Sequence, residues 1–249
     1  MSNKPWYERF FGKDYLRIYE PFLTPEKTAR EVSAITDLLN LPPGSTILDL
    51  CCGYGRHTLP LAQLGYQMTG LDINEEFLQR GRQAAEEENL LIHWIRSDMR
   101  QIPAHQEFDA IINIFTSFGY LASEEENQKV LEQVQHALKP DGLFLLETVY
   151  QPRVLRAFTP HGITHYDDGL IVVEERRIDL FSSRNEVHIT MFFPDGRRSE
   201  QRQSIRIYTL SELARMLNAA GMRLLAYYGG LDGSPLTLDS RLVVLSQKI

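Results

Sequence analysis

Cysteine is nearly absent from the 249 residues: only Cys51 and Cys52 occur, side by side. Neighbours along a strand point to opposite faces, so the pair makes neither a disulfide framework nor a metal motif, and no metal is expected. A reducing, cytoplasmic setting is the natural expectation. Long apolar runs are missing too. No stretch approaches the roughly 20 apolar residues that span a bilayer, and the opening MSNKPWYERF lacks the apolar core of a signal peptide. No membrane partner is expected. Positive charge is in deficit, with 26 Lys and Arg against 33 Asp and Glu, a formal net charge of -7. That balance disfavours a general electrostatic hold on nucleic acid. Internal repeats and low-complexity segments are also lacking. What remains is ordinary for a globular chain, 43% hydrophobic and 24% charged, with enough material for one large domain or a domain carrying a sizeable insertion.

Residues 6–40 read as aromatic-rich helical material, with Thr24-Pro25-Glu26-Lys27 as an N-cap followed by proline in the first turn, and Pro42-Pro43-Gly44 as the stop. An alternation then begins. Apolar runs at 46–51, 67–72, 91–95, 108–114 and 143–148 predict buried strands, and 57–64, 75–88 and 124–138 predict helices between them. Lys139-Pro140-Asp141-Gly142 predicts a turn. Strands alternating with helices imply a doubly wound α/β fold with a mostly parallel sheet. Residues 170–208 change character: β-branched and aromatic residues are broken by Ser182-Ser183-Arg184-Asn185 and Pro194-Asp195-Gly196, which predicts an antiparallel meander. A helix over 209–220 and strands over 222–228 and 242–247 close the chain. The loop joining those strands is too short for a crossover helix, so they should be antiparallel. The expected organisation is a helical cap (1–44), an α/β core (45–149), an inserted β subdomain (150–208), and a completion of the core sheet (209–249).

Three strand ends carry the candidate chemistry. Asp49-Leu-Cys-Cys-Gly-Tyr-Gly55 is a strand running into a glycine turn, where Gly53 and Gly55 permit backbone angles and close approach that side chains block. Such turns lie where open α/β sheets bind ligands. Asp72 ends the next strand, where a carboxylate can accept from both hydroxyls of a ribose. Asp98, in Ser97-Asp98-Met99 after the third strand, could accept from an adenine amino group. A nicotinamide enzyme competes, but its fingerprint wants a third glycine where Thr58 stands.

Taken together, these segments resemble the class I S-adenosylmethionine-dependent methyltransferase superfamily. Asp49 to Gly55 is similar to its first motif, with Cys51 where a glycine is usual. Gly70-Leu71-Asp72, Ser97-Asp98-Met99, Phe108 to Tyr120 and Leu138 to Leu143 resemble its ribose, adenine, fourth-strand and fifth-strand segments. The resemblance covers residues 45–149 and, by topology, the last forty or so; small-molecule enzymes with a β insertion after the fifth strand are the nearest kind. It implies a seven-stranded Rossmann-like sheet with an antiparallel last strand, S-adenosylmethionine as cofactor, and a methyl group moved to N or O of a small molecule. Cys51 is expected in a regular strand-like conformation.

Cofactor-binding candidates are Tyr15, Asp49, Cys51, Gly53, Tyr54, Gly55, Asp72, Ile73, Asp98, Met99, Asn113 and Phe115, with Asn113 at the amino or carboxylate end and Tyr15 on a lid formed by the N-terminal segment. Methyl transfer depends on in-line positioning and needs a base only for a protonated or weak nucleophile. His57 and Tyr120 are the catalytic candidates. Tyr19, Phe118, His165, Tyr166, Arg206 and Tyr208 are candidates for the acceptor, and Tyr7, Arg17, Ser117 and Asp232-Gly-Ser-Pro235 lie at the same edge. A cofactor-binding sensor without chemistry is the alternative. A macromolecule methyltransferase is disfavoured by the charge and by the lack of an Asn-Pro-Pro-Tyr type segment. The oligomeric expectation is a monomer or homodimer.

Overall fold

Two hydrophobic faces of one sheet organise the computed structural model, which describes residues 5–249; the first four residues of the expected cap lie outside these. Side chains alternate along each central strand. In β1 (Thr46–Leu50), Leu48 and Leu50 face one core and Ile47 the other. The same alternation runs through β4 (Phe108–Asn113) and β5 (Leu138–Thr148), so both faces must be covered by helices. One face carries α6 (Glu124–Ala137) and α8 (Leu210–Ala219). The other carries α3 (Pro25–Leu39) and α4 (Thr58–Gln63). Local chemistry sets the helix starts. Thr24 accepts from the Lys27 N–H, Asn74 caps α5 (Glu75–Glu87), and Ser123/Glu126 and Thr209/Glu212 form capping boxes.

With β2 (Gln67–Asp72), β3 (His93–Arg96), β10 (Met222–Tyr228) and β11 (Leu242–Lys248), the sheet has seven strands in the order β10-β11-β5-β4-β1-β2-β3. β11 runs antiparallel to both neighbours and the other pairings are parallel. Strand order reverses between β1 and β4, the point where a crevice opens beyond the carboxyl ends. The predicted 139–142 turn is instead part of β5. The register passes from Phe108↔Leu138 to Ala110↔Leu143, with Asp141 in the left-handed region at φ 60°, so the extra residues are taken up as an irregularity within the strand.

The meander is a four-stranded antiparallel sheet, β6 (His161–His165), β7 (Ile171–Asp179), β8 (Arg184–Phe192) and β9 (Arg198–Arg206). Strand β6 and the short helix α7 (Gln151–Arg156) precede the predicted span. The chain leaves the core and returns at one place: Tyr150 and Tyr208 form a parallel bridge, and the Gln151 N–H donates to the Tyr208 carbonyl at 3.0 Å. Helices α1 (Trp6–Phe10) and α2 (Lys13–Tyr19) pack on this sheet, where Phe10 and Ile18 join Leu170, Val172, Val187, Ile189, Met191 and Phe193 in a third core. Arg17 pairs with Asp168 at 2.7 Å and Arg197 with Asp14 at 3.3 Å. No helix among the described residues is long and apolar enough to cross a membrane.

Candidate active site

The carboxyl tips of β1 to β5 and the packed α1, α2 and β9 enclose a cavity of about 300 Å³. Its floor begins where β1 ends. Cys51 does not continue the strand; its φ is +63°, the left-handed region, because the chain turns there so that the Cys52 N–H can reach the Leu71 carbonyl at 3.0 Å. A non-glycine residue in that region costs on the order of 1–2 kcal/mol. Burial raises the thiol pKa of Cys51, and its sulfur lies 3.8 Å from the Met99 sulfur. Gly53 follows at φ +59°, and a Cβ there would meet nothing closer than Phe77 at 3.8 Å, leaving its backbone open to the cavity. Gly55 serves packing. A Cβ at Gly55, Gly70 or Gly81 would sit 2.6, 2.8 or 2.7 Å from Trp94, so the three glycines jointly accommodate one indole behind the floor.

Asp72 ends β2 within this floor. Its Oδ2 accepts from the Gly53 N–H at 2.9 Å and its Oδ1 from the Asn74 N–H at 2.8 Å. Burial outweighs those hydrogen bonds and pushes its pKa up to about 6. Asp98, after β3, is clamped by Arg100: Nε reaches Oδ1 at 2.9 Å and Nη2 reaches Oδ2 at 2.6 Å. Burial opposes ionisation of Asp98, but the Arg100 bonds win and hold it below its usual value. Arg100 also bonds Glu126, the capping-box residue of α6. Asp49 is buried, accepts from Thr58 Oγ1 at 2.6 Å, and has its pKa raised by that burial.

Beyond β4 the loop is strained. Phe115 and Thr116 take φ of 69° and 62°. Buried Glu147 of β5 holds them: its Oε2 accepts from the Phe115 N–H at 2.9 Å and its carbonyl from the Thr116 N–H at 3.2 Å. Arg241 bonds both Glu147, at 2.5 Å, and Thr116 Oγ1. Strain maintained by such a network is typical of functional loops. Glu147 and Arg241 carry no motif in the sequence, and only the antiparallel pairing of β11 with β5 brings them together.

Tyr15, Tyr19, Asp49, Cys51, Gly53, Tyr54, His57, Asp72, Ile73, Asp98, Met99, Phe115 and Tyr120 line the one cavity. Tyr7 and Ser117 line it too, and the remaining candidates lie elsewhere. Gly55 backs the floor. Asn113 is buried beneath it, with Nδ2 donating to the Leu50 carbonyl at 2.7 Å. Phe118 packs on Tyr208 at 5.3 Å. Tyr208 is buried with its hydroxyl on Glu124, and Arg206 is a buried ion-pair centre between Glu124 and Glu212. Tyr166 packs against the third core, and His165 is exposed on β6. The cavity's roof comes instead from Phe10, Phe11, Gln203 and Ile205. The alternating charges Arg198, Glu200 and Arg202 could have revealed them, since they assign the even positions outward and the odd ones inward.

Residues 47–142 match the model of a family described as a methyltransferase domain. Over 237 residues the chain is 28% identical to a dTDP-3-amino-3,4,6-trideoxy-alpha-D-glucopyranose N,N-dimethyltransferase of Streptomyces venezuelae, covering 91% of this chain and 92% of that one. It is 32% identical over 157 residues to a glycine/sarcosine N-methyltransferase of Aphanothece halophytica, 59% of each chain. Among solved structures, an S-adenosylmethionine-dependent methyltransferase of Clostridium acetobutylicum superposes with a TM-score of 0.81 at 17% identity, covering 94% of this chain and 98% of that one. Streptomyces venezuelae DesVI superposes with a TM-score of 0.71 at 24% identity, covering 96% and 100%. At those identities the superpositions establish the fold.

Proposed function

We propose that the chain is a class I S-adenosylmethionine-dependent methyltransferase that moves a methyl group from S-adenosylmethionine to N or O of a small-molecule acceptor enclosed beneath the inserted sheet. The carrying observation is that Gly53, Asp72 and Asp98, from three successive strand tips, line one cavity. Nitrogen is the favoured acceptor atom, since the relatives at 28% and 32% identity are both named as N-methylating enzymes.

The residues present fit the adenosyl group. Each Asp72 oxygen already accepts one backbone N–H and keeps a lone pair for a ribose hydroxyl. The open backbone at Gly53 admits close approach, and Met99 and Ile73 offer apolar surface on the adenine side. The cofactor supplies a methyl group on a positively charged sulfur. The chain supplies position and dryness: Phe115 and Tyr120 flank the reacting region, and Tyr15, Tyr19 and Phe11 exclude water above it. Burial raises the phenol pKa values of Tyr15 and Tyr120, which keeps them neutral as hydrogen-bond donors. His57, whose Nε2 engages Glu31 at 2.9 Å, keeps Nδ1 for a proton from an acceptor that arrives charged.

Titration calorimetry with S-adenosylhomocysteine tests the reading. Asp72→Ala should weaken binding at least about tenfold, the loss expected for hydrogen bonds to a charged acceptor. Unchanged affinity removes the ribose assignment. Transfer of labelled methyl to a panel of small amines then tests the chemistry.

A further inference from the structure

At the start of α4 the cavity wall carries a buried charge cluster that the adenosyl contacts leave unused. Arg56 lines the cavity with a side chain only 10% exposed. Its Nη1 donates to Glu31 of α3 at 2.5 Å and to Thr28 Oγ1 at 3.2 Å. Its Nη2 is buried and has no hydrogen-bond partner among the described residues. Native proteins seldom leave such a group unmet, and a guanidinium is costlier to leave unmet than a neutral donor. Glu31 is already engaged: its Oε2 accepts from Arg56 and His57, and its Oε1 lies 3.8 Å from Lys27. Although burial works against it, those partners hold its pKa down at about 2. Asn113, the residue expected at this end of the cofactor, gives its Nδ2 to the Leu50 carbonyl and does not line the cavity. Asp49, opposite in charge, lines the cavity from the end of β1.

We propose that Arg56 is the receptor for the carboxylate of the cofactor's amino-acid end, and that Glu31 is its positioning residue. The inference rests on the methyltransferase reading above. Glu31 holds Nη1 of the guanidinium and so leaves Nη2 for an anion, while Asp49 meets the neighbouring ammonium. Arginine suits the task because its fork can hold one carboxylate with one edge and another with the next.

The test compares two ligands by calorimetry: S-adenosylhomocysteine, and its decarboxylated analogue, which keeps the adenosyl group and the amine. Wild type should prefer the carboxylate-bearing ligand about tenfold or more, as expected of charge-assisted hydrogen bonds. Arg56→Gln should abolish that preference while changing affinity for the decarboxylated ligand less than about threefold, and Arg56→Lys should restore part of it. Glu31→Gln should reduce the preference about threefold to tenfold, because the guanidinium loses its anchor. Asp72→Asn should weaken both ligands alike and leave the ratio unchanged. If Arg56→Gln leaves the ratio intact, or weakens both ligands equally, the proposal is overturned. If wild type binds neither ligand, the cofactor reading itself fails. Thermal melts accompany each variant, and should Glu31→Gln fail to fold, the Arg56 pair decides the matter alone.

Discussion

The floor and the roof of the cavity are built by opposite means. The floor is backbone and buried charge: a turn with Cys51, Gly53 and Gly55 at positive φ, and carboxylates fixed by amides, Thr58 and Arg100. The roof is aromatic and apolar. Phe10, Phe11, Tyr15 and Tyr19 pack on one another at 4.7–6.4 Å, against a sheet held to them by a small core and exposed ion pairs. A floor of this kind tolerates little change, because each contact is directional and its geometry is set by the chain itself. A roof built on apolar packing accepts substitution of similar volume, so the roof can change over a constant floor.

The largest expected break is on the floor. Gly55→Ala places a Cβ 2.6 Å from Trp94 at φ +87°, and should cost roughly 3 kcal/mol through clash and backbone strain. Denaturant unfolding checks this, and a stability within experimental error of wild type would show that the indole is not seated as described. A pH series probes the floor more gently. Asp72 is ionised in the free protein only above about 6, and ribose hydroxyls bind its ionised form better. Affinity for S-adenosylhomocysteine should therefore be level at higher pH and fall as pH drops through about 6, by up to about tenfold per unit. Asp72→Asn should flatten that dependence. The smallest effect belongs to the roof. Gln203, which lines the cavity with Tyr19, should when changed to Ala raise the KM for the acceptor about threefold to tenfold, the worth of one polar contact, while cofactor affinity stays within about twofold. Equal losses in both constants would mean that floor and roof are not separable.

The same contrast decides what could be read from sequence. Gly53, Asp72 and Asp98 were legible because position at a strand tip follows from chain order alone: an apolar run ends, and the next residue faces the crevice. Roof residues supplied by β9 depend on register. Arg206 and Tyr208 were expected inside, yet Gln203 and Ile205 line the cavity, and the error is one of parity, since a one-residue shift exchanges the two faces of a strand. Arg206 is buried for a different reason, its pairing with Glu124 and Glu212 from two helices that no local pattern connects to it. The left-handed Cys51 was missed because its own identity gives no sign of it. The Leu71 carbonyl that dictates the turn lies in the neighbouring strand. The antiparallel pairing of β10 with β11 was readable from loop length, whereas the extension of β5 through Pro140 was hidden by residues that normally spell a turn.

The meeting of Tyr150 and Tyr208 has a consequence for how such a chain can change. Two points of main chain already joined by a hydrogen bond need almost no linker between them, so whatever is strung between the two can be lengthened, trimmed or exchanged with little penalty in loop closure. The strand order on either side is indifferent to what hangs there. One donor platform could thereby be fitted with many different covers, each selecting its own guest.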